Sequence, residues 1–96
     1  MVSKMTDLTD KYCVITGATS GIGEATARSL AGLGMHLTIV CRNRDKGLLL
    51  KASLEQNSRH SVDVIVGDFS RLSDVRQIAQ DYLSMNKPLH LLVNNA

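Results

Sequence analysis

Ninety-six residues, 44% of them apolar, suffice for one small domain with a real core and no more. Eleven basic against nine acidic side chains give a net charge of +2, and only 3% of residues are aromatic. Without a Lys/Arg run to track phosphates or rings to stack bases, a nucleic-acid partner is not expected.

Residues 1–11 read as a polar N-terminal extension. Lys4, Asp7, Asp10 and Lys11 fall there, and no apolar stretch resembles the core of a secretory signal. No apolar run approaches the ~20 residues needed to span a bilayer. Cys13 and Cys41 each sit inside an apolar run, with no CxxC or Cys/His spacing nearby. They read as reduced core residues of an intracellular, cytoplasmic chain, not as a disulfide or zinc pair.

From residue 12 to residue 96 the pattern alternates. Tyr12-Cys13-Val14-Ile15-Thr16 is a short β-rich run, as expected for a strand buried on both faces. The glycine-rich stretch Thr16-Gly17-Ala18-Thr19-Ser20-Gly21-Ile22-Gly23 follows, then a helix with Ile22, Ala25, Ala27, Leu30, Ala31 and Leu33 as its apolar stripe, ending near Gly32 or Gly34. A second strand is expected at 36–41. The turn Arg42-Asn43-Arg44-Asp45 leads to a helix over 46–56 carrying Leu48, Leu49, Ala52 and Leu54. A third strand spans 62–66. Ser70 or Ser73 is placed to cap the next helix, where Leu72, Val75, Ile78, Ala79, Tyr82 and Leu83 share one face. Pro88 stops that helix, and 89–93 is a fourth strand. The fold class is therefore α/β: a partial Rossmann domain, doubly wound, with parallel strands in the order 3-2-1-4 and helices on both faces. Ligands of such sheets bind beyond the carboxyl ends of the strands, where the order reverses; here that is between the first and fourth strands.

The glycine turn falls at that point. A tight strand-to-helix turn needs a residue without a Cβ where dihedrals are unusual, another where a pyrophosphate comes close, and a third where helix packs on strand. The helix then points its free N–H groups and positive dipole end at the phosphates. The Gly-x-x-x-Gly-x-Gly spacing, with Thr16 before it and Asn94-Asn95-Ala96 at the chain's end, resembles the short-chain dehydrogenase/reductase family. The resemblance covers residues 12–96, and the stretch Cys41-Arg42-Asn43-Arg44-Asp45-Lys46-Gly47 is most similar to its retinol-dehydrogenase-like branch.

The resemblance implies a dinucleotide cofactor held by particular residues. Gly17, Thr19, Ser20, Gly21, Ile22 and Gly23 would wrap the pyrophosphate and adjoining ribose. Asp68 would accept from the adenine amino group, with Phe69 lining the ring pocket. Asn94 would meet the adenosine ribose through its backbone, while Asn95 would brace the central strands. Arg42, at the end of the second strand, would lie at the ribose 2′ position, and Asn43 beside it is counted among the cofactor-binding residues. NAD-preferring enzymes carry an acid there, but this run has no carboxylate before Asp45. A guanidinium pairs instead with a 2′-phosphate, so NADP is expected over NAD. No metal site is expected, and His36, His60 and His90 have no patterned partner.

Enzymes of the family transfer a hydride between nicotinamide and a carbonyl or alcohol carbon, using a Tyr-x-x-x-Lys pair with a Ser. Tyr12 is followed four residues later by Thr16, and Tyr82 by Asn86; the pair is not in this sequence. The next residue of the family's Asn-Asn-Ala-Gly motif would be number 97, so the chain reads as the cofactor half of a longer oxidoreductase (EC 1.1.1.-). A lipophilic carbonyl or alcohol substrate, a homo-oligomer contact and any membrane attachment would belong to the rest. The competing reading is a non-catalytic nucleotide-binding or interaction module. A doubly wound methyltransferase is disfavoured by the glycine spacing and Asn94-Asn95.

Overall fold

The computed structural model describes residues 8–95. Most of the expected 1–11 extension, and the terminal Ala96, lie outside the described residues. Four parallel strands, β1 (Tyr12–Thr16), β2 (His36–Cys41), β3 (Asp63–Val66) and β4 (Leu91–Asn94), form one sheet in the order β3-β2-β1-β4. Helices α1 (Gly21–Gly32), α2 (Arg44–Glu55) and α3 (Leu72–Ser84) supply the crossovers. No helix among the described residues is long and apolar enough to cross a membrane.

Alternation along the strands sorts the core into two layers. Cys13, Ile15, Leu37 and Ile39 pack with Ala27, Leu30 and Ala31 of α1 and with Leu50 and Leu54 of α2. Val14, Val40 and Ile65 face the other way, onto Ile78 and Tyr82 of α3. Buried on both sides, β1 and β2 are apolar at nearly every position, as a central parallel strand must be. Both cysteines are free and buried, and burial pushes the Cys13 thiol up to about 11, so it behaves as a small core residue.

Several boundaries and faces differ from expectation. On α1 the buried stripe is Gly23, Ala27, Leu30 and Ala31, while Ile22 is 82% exposed and Leu33 and Ala25 also face water. Gly23, Ala27 and Ala31 let this helix lie close to the sheet, and Leu30 is the one large side chain in the buried stripe. Helix α2 starts two residues before the expected position, because Asn43 accepts the Lys46 N–H at 3.1 Å and caps it; Gly47, Leu50 and Leu54 are its buried residues, and Leu49 is exposed. Neither Ser70 nor Ser73 caps α3. Arg71 occupies that position without a side-chain cap, and the Ser70 hydroxyl is taken by Asp68. Leu72 and Leu83 of α3 are solvent-facing. β4 begins at Leu91, two residues after the expected start, since Pro88 and Leu89 serve the approach to the sheet; the Tyr82 hydroxyl donates to the Pro88 carbonyl at 2.5 Å.

The junction of β1 and α1 fixes the carboxyl edge. Gly17 adopts φ +65°, and a Cβ there would collide with the Asn95 carbonyl. A Cβ on Gly23 would collide with the Gly17 carbonyl, so the first turn of α1 rests directly on the backbone leaving β1. A backbone carbonyl cannot rotate out of the way as a side chain can. Gly23→Ala is therefore expected to cost about 3 kcal/mol, the upper end for overpacking, in urea unfolding. A loss within about 0.5 kcal/mol of wild type, as for an ordinary surface substitution, would show that the turn yields.

Candidate functional site

All four strands deliver their carboxyl ends to one cleft of about 350 Å³, lined by Thr16, Gly17 and Ser20 after β1, Val40–Arg42 at the end of β2, Gly67–Ser70 after β3, and Asn94 and Asn95 after β4. It occupies the switch point between β1 and β4, where neighbouring crossovers leave the sheet in opposite directions.

Thr16 ties the floor together. Its hydroxyl donates to Asn94 Oδ1 at 2.8 Å and accepts the Asn95 N–H at 3.2 Å, locking the ends of β1 and β4 in register. Asn95 Nδ2 is the buried side-chain polar atom without a protein partner among the described residues, beside the turn it supports.

At the mouth, Ser20 holds the N-cap position of α1 in extended backbone (φ −156°, ψ 155°), yet its side chain makes no capping hydrogen bond. The first-turn N–H groups of α1 are thus not taken by the residue best placed to take them, whereas Asn43 caps α2. An uncapped helix start opening on a cleft is an anion-binding arrangement.

Asp68 stands across the cleft after β3. Its Oδ1 accepts from Ser70 twice, from N–H at 2.9 Å and from the hydroxyl at 2.6 Å, while Asp74 accepts the Asp68 N–H at 2.8 Å. The Ser70 hydrogen bonds hold the Asp68 carboxyl below its ordinary range against a smaller opposing effect of burial, with added help from the positive charges of Arg42 and Arg71. The group is anionic at neutral pH and fixed in direction. Arg42, at the end of β2, is exposed on the rim and makes no ion pair among the described residues. Phe69 packs partly against the α3-side core.

The structure therefore brings Gly17, Ser20, Arg42, Asp68, Phe69 and Asn94 around one cavity. Thr19, Gly21, Ile22 and Gly23 lie on the turn and first helical residues, outside the cavity wall; Ile22 points to solvent and Gly23 is buried beneath the turn. Asn43 does not line the cleft, and its side-chain oxygen is committed to capping α2. Sequence reasoning did not place Val40, Cys41 or Ser70 on the wall. For Ser70 a signal existed, since an Asp followed two residues later by Ser favours the local turn that Asp68 makes. Tyr12 is at the opposite end of β1 and Tyr82 is buried in the core, so neither phenol reaches this cleft.

Comparison with known proteins agrees with this geometry. Residues 11–96 match the family model described as short chain dehydrogenase. The chain is 41% identical over 91 residues to the WW domain-containing oxidoreductase of Danio rerio, covering 94% of this chain and 22% of that one. It is 39% identical over 90 residues to retinol dehydrogenase 11 of Mus musculus, covering 93% and 28%. It thus spans about a quarter of the length of these curated relatives. Among solved structures, L-sorbose reductase from Gluconobacter frateurii, complexed with NADPH and L-sorbose, superposes with a TM-score of 0.86 at 31% identity, over 95% of this chain and 35% of that one. An NADH-dependent reductase complexed with NAD superposes at 0.82 with 26% identity, over 94% and 37%. With a glycine turn, a parallel sheet and a switch-point cleft that all coincide with the matched region, the chain belongs to the short-chain dehydrogenase family.

Proposed function

We propose that these residues form the adenosine-side cofactor site of an NADP(H)-dependent oxidoreductase acting on a carbonyl/alcohol pair. The observation that carries this reading is the uncapped start of α1 opening on the same cleft as Asp68 and the unpaired Arg42. The chain's own groups then divide the cofactor among them. The N–H groups of the turn at 17–23 receive the pyrophosphate, and the positive end of α1 stabilises its charge. The Asp68 carboxylate, anionic and aimed by Ser70, accepts from the adenine amino group, with Phe69 beside the ring. Asn94 serves the ribose. Arg42 supplies a planar pair of donors for a 2′-phosphate, a group that a carboxylate at this place would repel. The NADPH and NADP complexes among the solved relatives support this preference, and the NAD complex of another sets the alternative.

When bound, the nicotinamide supplies hydride chemistry. Within these 96 residues no Tyr-x-x-x-Lys pair exists to move the accompanying proton. The residues present account for cofactor binding; turnover, on a lipophilic substrate of the retinoid or steroid kind, would need a proton-moving group from outside them. The likeness to retinol dehydrogenase 11 supports that substrate class.

Two outcomes test the reading. Calorimetric titration should show 2′,5′-ADP binding more tightly than 5′-ADP by roughly ten- to a hundredfold, the worth of one charge-assisted pair of about 1.5–3 kcal/mol. Arg42→Asp should abolish or reverse that difference; equal affinities that the substitution leaves unchanged would make Arg42 an ordinary surface residue. Second, NADPH oxidation with a panel of aldehydes and ketones should stay at the blank rate. Protein-dependent turnover that persists in Tyr12→Phe and Tyr82→Phe would contradict the division between binding and chemistry.

A further inference from the structure

The amino ends of the strands, opposite the cofactor cleft, gather side chains the proposed activity does not use. His36 opens β2, His60 lies in the connection from α2 to β3, and Asp10 precedes β1. His60 Nε2 and Asp10 Oδ1 are 2.8 Å apart, and the rings of His36 and His60 stack with centroids 3.5 Å apart at 18°. One donor atom from each of Asp10, His36 and His60 falls within 4.8 Å of the others. We propose that Asp10, His36 and His60 form a second ligand site, for a divalent cation of the zinc class.

Two imidazole nitrogens and one carboxylate oxygen are a donor set that suits zinc and its first-row neighbours over magnesium or calcium, which demand oxygen ligands. Three protein ligands with an open fourth position for water are a recurrent zinc arrangement, with bonds of about 2.0–2.2 Å. In the stacked arrangement the two ring planes run side by side, so one cation cannot lie in both. His60 is the ring able to turn: it sits in a connection, whereas His36 is held in β2 and stacked on its other side by Tyr12, with centroids 4.1 Å apart at 4°. Closing the site requires His60 to turn out of the stack toward His36 while its nitrogen stays within reach of Asp10, 2.8 Å away in the stacked arrangement. Asp10 is presented by an unusual backbone, φ +63°, and its N–H donates to the Gly34 carbonyl at 2.9 Å. The cation would tie together the approach to β1, the start of β2 and the approach to β3, three segments separated by up to 50 residues. It would act as a clip on the folded state, because the unfolded chain does not hold the three ligands together.

The experiment is calorimetric titration of chelator-treated protein with Zn²⁺, paired with thermal unfolding. Wild type should bind one equivalent, and at about 100-fold over the Kd the Tm should rise by roughly 10–20 °C. Asp10→Asn, which keeps a residue tolerant of the left-handed backbone, His36→Gln and His60→Gln should each weaken the Kd by at least about tenfold. His90→Gln, a neighbouring imidazole outside the cluster, should leave it unchanged. Binding of 2′,5′-ADP serves as the check that each variant is folded, and should itself stay as in wild type because the cofactor cleft is at the other end of the strands. If His36→Gln unfolds, Asp10→Asn and His60→Gln still decide. Absence of Zn²⁺ binding in wild type, or binding that survives Asp10→Asn and His60→Gln in folded protein, would overturn the site.

Discussion

Everything at the carboxyl edge of this sheet depends on backbone resting on backbone where β1 passes into α1. Gly23 lies against the Gly17 carbonyl and Gly17 against that of Asn95, each at a separation no Cβ would permit. Two consequences follow from that contact. The start of α1 is brought to the sheet edge, where its uncapped N–H groups open on the cleft. The end of β4 is drawn beside β1, where the Thr16 hydroxyl joins both asparagines. An uncapped helix start at the sheet edge and a cleft floor joined through Thr16 are thus two outcomes of one packing constraint.

The layers above and below the sheet serve the same end. Small residues on the inner stripe of α1 let that helix lie close, while Leu50 and Leu54 anchor α2 beside it. The Asn43 cap fixes where α2 begins and so where Arg42 stands on the rim. On the far face, Ile78 and Tyr82 hold α3 against β3, and Asp74 in its first turn accepts the Asp68 N–H. The orientation of Asp68 is therefore inherited from α3 as well as from Ser70.

The central strands β1 and β2 were legible in the sequence because a strand buried on both faces must be apolar throughout, and the sheet order because parallel crossovers have one hand. The glycine turn was legible because its spacing is nearly a geometric drawing of the backbone. What periodicity could not show was which side of a helix meets the sheet when the contact is made by Gly and Ala. At α1 the expected stripe holds for Ala27, Leu30 and Ala31, which are buried, and fails for Ile22, Ala25 and Leu33, which face water. Caps were only partly readable: a Ser before a helix is free to cap it, but at Ser70 the nearer Asp68 carboxylate wins the hydroxyl. The grouping of His36 and His60 with Asp10 was invisible for a different reason. Those residues come together through sheet register and a connecting loop, and no local spacing encodes that meeting.

Under the proposal above, the uncapped helix start and the Asp68–Arg42 walls form one nucleotide site. Amide chemical-shift mapping of the 96-residue chain with 2′,5′-ADP addresses it most directly. The account requires saturable shifts at Gly17, Gly21, Ile22 and Gly23, together with Arg42 and Asp68, and quiet amides at His36 and His60. Shifts confined to the amino ends of the strands, or none at millimolar ligand, would contradict it.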